Sequence, residues 1–120
     1  MREILIASDH AGFKLKEIIK IHLSKKKIKI VDLGPYKLMI VDYPDYAHKL
    51  SKKINLNKKL TGVLVCGSGI GMEITANKYK NVRAANCYNQ KSAKLSRLHN
   101  NANIITLGSR LTKKNVAIKC

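Results

Sequence analysis

Thr61-Gly-Val-Leu-Val-Cys66 runs without a break into Gly67-Ser-Gly-Ile-Gly71-Met72. A short, largely β-branched apolar run bounded by turn residues reads as a strand buried on both faces. The alternating glycines after it open a segment, Gly69 to Lys78, that reads as a helix with Ile70, Ile74 and Asn77 on one side. A strand that ends in a thiol, turns through glycine and enters a helix is the repeating unit of an α/β protein.

The same alternation extends in both directions. Glu3–Ser8 is expected to be a strand, 12–25 a helix with Phe13, Leu15, Ile18, Ile19 and Leu23 at helical spacing, and Ile28–Leu33 a strand stopped by Gly34-Pro35. A loop reaches Asp42, and Tyr43–Asn57 reads as a helix that tolerates Pro44 in its first turn. Downstream, Val82–Asn86 and Asn103–Leu107 are expected strands, Ser92–His99 a helix, and Lys113–Lys119 the opening of a last helix. Strands apolar on both faces and alternating with helices call for one parallel sheet covered on both sides, in a single domain of 120 residues.

Composition narrows the function classes. The chain carries 24 Lys and Arg against 7 Asp and Glu, a formal charge of +17, so a polyanionic partner has to be weighed. The lysines are dispersed, however, in Lys25-Lys26-Lys27, Lys52-Lys53, Lys58-Lys59 and Lys113-Lys114, each where an element is expected to end. No aromatic-rich RNA-binding strand and no zinc-finger spacing accompanies them, so nucleic acid is an unlikely partner and a solvated basic surface the simpler account. Three widely spaced cysteines, Cys66, Cys87 and Cys120, form neither a disulfide framework nor a zinc knuckle and suit a reducing, cytoplasmic setting. No apolar run is long enough to span a membrane, and the N-terminus turns polar too soon for a secretory signal.

In a parallel α/β sheet, ligands bind where the carboxyl ends of the strands meet their loops. Reading out those ends collects Ser8-Asp9-His10, Cys66-Gly67-Ser68-Gly69, Asn86-Cys87 and Gly108-Ser109-Arg110 on one rim. Glycines let the amides of 67–71 turn inward beside a helix start, which suits an oxyanion. No lysine follows Gly71, so this is not a Walker A loop. The G-x-G-x-G spacing and the neutral Cys87 do not fit a dinucleotide fingerprint. Met72 stands where a cysteine phosphatase would close its loop with arginine. Cys66 is open to two readings, a small buried hydrophobe or a thiol whose ionised form the adjoining amides favour as base or nucleophile. A metal set of Cys66, Asp9, His10 and His99 has no local ligand spacing to support it.

Seven stretches together carry a resemblance: S-D-H-A-G-F-x-L-K from Ser8, D-Y-P-D-Y-A at 42–47, C-G-S-G-I-G at 66–71, A-N-K at 76–78, R-A-A at 83–85, L-S-R-L-H-N-N-A-N at 95–103 and L-G-S-R at 107–110. In this order, over essentially the whole chain, they resemble type B ribose-5-phosphate isomerase and its relatives, the galactose-6-phosphate isomerase subunits. The resemblance implies a three-layer, Rossmann-like α/β fold with a five-stranded parallel sheet. It implies a homodimer or dimer of dimers, a phosphorylated sugar as substrate, and neither metal nor cofactor.

It further implies an aldose–ketose isomerisation through an enediolate, with Cys66 as the base and Met72 marking the cysteine rather than the glutamate branch. Ser68 would hydrogen-bond the base or the sugar, and Gly67, Gly69, Ile70 and Gly71 would offer amides to the charged oxygen. His99 would open the sugar ring. Asp9, His10, Tyr43 and Asn100 would line the substrate, and Arg110 would hold the phosphate. Read alone, Asp9 is a helix N-cap, Tyr43 a half-buried aromatic and His99 a helix C-terminal histidine. The resemblance assigns the 99–110 region of each site to the partner subunit. It also implies a chain continuing past position 120, so the last helix here is expected to be cut short. Hexose phosphate as substrate, and a non-catalytic polyanion-binding protein, remain alternatives at this level.

Overall fold

Parallel strands cannot be joined by tight turns, so each pair needs a crossover, and this sequence supplies a helix at each one. The computed structural model describes residues 3–57 and 59–120; Lys58 of the Lys58-Lys59 pair lies outside the described residues. The elements follow as β1 (Glu3–Ser8), α1 (Phe13–Ser24), β2 (Lys29–Asp32), α2 (Tyr43–Leu56), β3 (Thr61–Cys66), α3 (Ile70–Ala76), β4 (Ala84–Asn86), α4 (Gln90–Asn100), β5 (Ile104–Gly108) and α5 (Lys114–Ala117). The five strands are all parallel, in the order β2-β1-β3-β5-β4. The direction in which successive strands are added to the sheet therefore reverses between β1 and β3, which is where such sheets open a crevice.

Alternation along the strands separates two cores. Leu5, Ala7, Leu64 and Cys66 point to one face, where Ala47, Leu50 and Ile54 of α2 and Met72 and Ala76 of α3 cover them. Ile6, Val63, Val65 and Leu107 point to the other, against Leu15 and Ile19 of α1, Ala93 of α4 and Ala117 of α5. Each fully buried branched side chain contributes about 1.5–3 kcal/mol by leaving water. The expected three-layer, doubly covered sheet is the observed one.

Several expected boundaries shift for local reasons. Helix α4 begins two residues early because Asn89 and Ser92 form a reciprocal capping box, each side chain bonding the other's backbone N–H. Strand β2 stops at Asp32, whose carboxylate turns to hydrogen bonding, and β4 is only three residues long. Ile70, Ile74 and Asn77 do share one side of α3, and that side is exposed, while Met72, Thr75 and Ala76 are buried. In α1 the apolar rhythm misleads in another way. Ile18 is 37 % exposed, and Lys16 is completely buried.

Lys16 is tolerated inside because its ammonium is fully engaged. It donates to both oxygens of Asp32, each at 2.9 Å, and to the carbonyl of Pro35. Asp32 also accepts from Lys20 at 2.7 Å and from the Gly34 amide at 2.8 Å. Burial alone would raise the Asp32 carboxyl, but the hydrogen bonds from Lys20, Lys16 and Gly34 outweigh it and hold it below its ordinary value of 3.8. A group whose folded value is depressed stabilises the fold above the ordinary value and loses that contribution as pH falls through the folded one. The melting temperature should therefore drop as pH is taken down through and below 3.8, with the Asp32 carboxyl carbon titrating in NMR below that value. A melting temperature flat across that acid range would contradict it.

Candidate active site

Four strands deliver their carboxyl ends to one rim, and backbone hydrogen bonds hold those ends together. Asp9 N–H donates to the Val65 carbonyl at 3.1 Å, Ser109 N–H to Cys66 at 2.8 Å and Arg110 N–H to Gly67 at 2.9 Å. The Ser109 hydroxyl reaches across to the Ala11 carbonyl at 2.7 Å, closing β5 onto the start of α1. The rim expected from strand order is thus a connected structure.

At its centre Cys66 is 5 % exposed, its sulfur lying on the α2/α3 side of the sheet within that core. Both sequence readings meet here, since the thiol packs as a small hydrophobe and also receives the Gly69 N–H at 3.1 Å. Gly69 takes φ +81°, the left-handed region that only glycine enters freely. The Ser68 hydroxyl accepts from Ile70 N–H at 3.1 Å, whereas the amides of Gly67, Ser68 and Gly71 find no hydrogen-bond partner among the described residues. Unengaged N–H groups beside a buried sulfur are what a developing oxyanion needs.

The surrounding side chains approach the loop closely, and a side chain at these positions would have to displace them. A Cβ on Gly67 would lie 2.9 Å from the Arg110 guanidinium, and one on Gly71 would lie 2.7 Å from the Tyr43 ring. Asn86 and Gly108 press on the loop from β4 and β5. Asp9 is 8 % exposed and accepts from Gly12 N–H at 2.9 Å; the N-cap of α1 is Gly12 itself, so Asp9 is not the N-cap its type suggests. His10 is exposed, with Nδ1 facing the Val41 carbonyl at 3.0 Å. Tyr43 opens α2 half-exposed, and Met72 is fully buried in the core.

Two expected members stand elsewhere. His99 and Asn100 are exposed at the end of α4, which runs back from the rim; the Asn100 carbonyl accepts from Arg83 at 2.7 Å, and Arg83 immediately precedes β4. They therefore occupy the amino edge of the sheet, about 15 Å from the rim at roughly 3.3 Å per strand residue. The resemblance assigns all of 99–110 to the partner subunit's side, but β5 carries Arg110 back to its own chain's Gly67, so the stretch is divided. Residue type alone singled out neither Asn86 nor Ser109 as a support of the loop; the usable signal was a polar residue at the end of a buried strand. Among the described residues, no group of three His, Cys, Asp or Glu side chains converges as metal ligands.

Similarity to known proteins follows the same outline. Residues 4–120 match the sequence profile of the ribose/galactose isomerase family. The ribose-5-phosphate isomerase B of Escherichia coli is 38% identical over 111 residues, covering 92% of this chain and 74% of its own. A crystal structure of a ribose 5-phosphate isomerase from Thermotoga maritima superposes with a TM-score of 0.94 at 47% identity, covering 98% of this chain and 81% of that one. The Mycoplasma genitalium ribose-5-phosphate isomerase B, solved with bound ribulose-5-phosphate, has a TM-score of 0.94 at 44% identity, covering 98% of this chain and 78% of that one.

A methyl group at position 108 would clash with the Ser68 carbonyl, so backbone must move to admit it. Gly108→Ala should cost about 1–3 kcal/mol in chemical denaturation, the usual penalty of overpacking. A loss under about 0.5 kcal/mol, the range of inert surface changes, would show that this contact is not a constraint.

Proposed function

The chain belongs to the ribose/galactose isomerase family, and from that membership we propose that it interconverts ribose 5-phosphate and ribulose 5-phosphate, with Cys66 as the base. The observation that carries the reading is the Cys66 sulfur bonded by Gly69 N–H beside the unengaged amides of Gly67, Ser68 and Gly71. In the open-chain aldose, the Cys66 thiolate takes the proton from C2, and the electron pair moves through the C1–C2 bond onto the carbonyl oxygen. The unengaged loop amides of Gly67, Ser68 and Gly71 stabilise the enediolate, one such donor being worth about 3–4 kcal/mol in comparable sites. The Gly69 and Ile70 amides, expected to join them, are turned to the Cys66 sulfur and the Ser68 hydroxyl. Moving the O2 hydroxyl proton to O1 and returning the carbon-bound proton to C1 completes the ketose. Ser68 steadies the loop or a sugar hydroxyl, Asp9, His10 and Tyr43 line the sugar, and Arg110 grips the phosphate, which its planar fork matches.

Ring opening is assigned to His99, with Asn100 beside it. Their place at the amino edge supports a site shared between two copies, in which the partner's amino edge meets this chain's rim. A homodimer is then the smallest active unit. Hexose phosphate and free polyanions are less favoured, since the ribulose-5-phosphate-bound relative shares the fold over nearly the whole chain.

Cys66→Ala should lower kcat for ribose 5-phosphate by at least about 100-fold while the fold persists, the scale of a lost acid–base group. An unchanged rate would remove Cys66 from the chemistry. Mixing Cys66→Ala with an equally inactive His99→Asn chain should restore about a quarter of wild-type activity: half of the random dimers are mixed, and each mixed dimer has one intact site. No restoration after verified subunit exchange would place both groups in one chain's site or outside it.

A further inference from the structure

We propose that the buried Lys16–Asp32 pair is a positioning unit for the substrate-lining residues His10 and Tyr43, an inference that rests on the isomerase reading above. A buried ion pair adds little net stability over an apolar pair of the same volume, so its use lies in what it fixes. Here it fixes a turn. The fully buried Lys16 ammonium captures the Pro35 carbonyl, and Asp32 receives the Gly34 amide at 2.8 Å. On the other side, the Gly34 carbonyl accepts from Ser8 N–H at 3.1 Å, immediately before Asp9 and His10. Gly34 itself holds φ +105°, and a Cβ there would stand 3.0 Å from the Tyr46 ring of α2. Residues 32–35 are thus held from below by charge, from β1 by backbone and from α2 by an aromatic.

Beyond this anchor the chain is loosely supported. Tyr36 is 71% and Ile40 88% exposed, and the next tether is the backbone of Val41 against His10 Nδ1. Tyr43 follows, its ring packed on Gly71 of the glycine loop. The strap 36–42 therefore has two ends: the Lys16–Asp32 anchor at one, and the His10 and Tyr43 contacts at the other. Releasing the anchor lets the strap drift, and with it the two side chains that face the sugar. Ground-state contacts are lost while the sulfur and loop amides stay in place, so KM moves and kcat does not.

The test compares the wild type with Lys16→Met, which leaves Asp32 without its buried partner, and with Lys16→Met/Asp32→Asn, which removes both charges. Melting temperature, amide exchange at Gly34 and Val41, and KM and kcat for ribose 5-phosphate are read on each. The double variant should regain part of the melting temperature lost in the single one, because in Lys16→Met the Asp32 carboxylate keeps only the partly exposed Lys20 as a cationic partner. Its exchange at the two amides should nevertheless stay faster than wild type, and its KM should stay on the order of tenfold higher with kcat within about threefold. A purely structural pair predicts that KM returns with stability, and that result overturns the positioning role. Unchanged exchange overturns the anchor itself, without reference to turnover. A wild-type chain inactive on ribose 5-phosphate overturns the isomerase reading, and with it the role assigned to the pair in catalysis, while the exchange result still decides the anchor.

Discussion

Two backbone hydrogen bonds past the end of the β3–β5 ladder, Ser109 to Cys66 and Arg110 to Gly67, are what the rest of the site depends on. They require β5 to lie against the glycine loop at a distance no side chain permits, and Gly108 provides that room. Because β5 sits between β3 and β4, the same contact sets Asn86 against Gly69 and Arg110 over Gly67. One steric constraint thus aligns a buried thiol, its amide donors and a guanidinium. That alignment costs little to maintain during reaction, since every member is held by backbone or by close packing.

The thiol's burial follows from the same arrangement. Along β3 the odd and even residues serve opposite cores, and position 66 falls on the α2/α3 side with Leu64. A carboxylate there would have to be desolvated among Leu64, Met72 and Ala76, at a cost its neighbours do not offset. Cysteine suits both demands, since it packs as an apolar residue while the Gly69 N–H offers the ionised sulfur a partner. The chemistry is therefore placed at the edge of the core by a residue type that the core accepts.

How legible this was in the sequence depended on which force set each feature. Elements governed by buried apolar runs, β1 and β3 above all, were read at their true ends, and the rim follows from them. Where specific hydrogen bonds decide, composition misled. Lys16 is hidden inside α1 because Asp32 and the Pro35 carbonyl, remote in sequence, satisfy it, and no local pattern announces those partners. Ile70 and Ile74 share one side of α3 as read, but the apolar spacing did not tell that this side faces solvent while Met72 and Thr75 turn inward. The position of Arg110 beside its own Gly67 depends on the strand order, with β5 inserted between β3 and β4, and a one-dimensional reading does not contain that insertion.

The excess of positive charge takes its meaning from where the few acids are used. Among the described residues only Lys16, Lys20 and Lys29 form ion pairs, with Asp32, Glu17 and Glu3. Asp9 and Glu73 are engaged by the backbone amides of Gly12 and Asn86 instead. Most of the 24 cations thus remain uncompensated and give the chain a broad attractive field for anions. At physiological salt such a field decays over about 8 Å, so lysines around the periphery draw a dianionic sugar toward the surface without gripping it. On the proposed reading, holding it falls to Arg110, whose backbone amide is bonded to the Gly67 carbonyl and whose guanidinium lies over Gly67. The diffuse charge would act on any polyanion; on the proposed reading, discrimination falls to the glycine loop and the guanidinium laid over it.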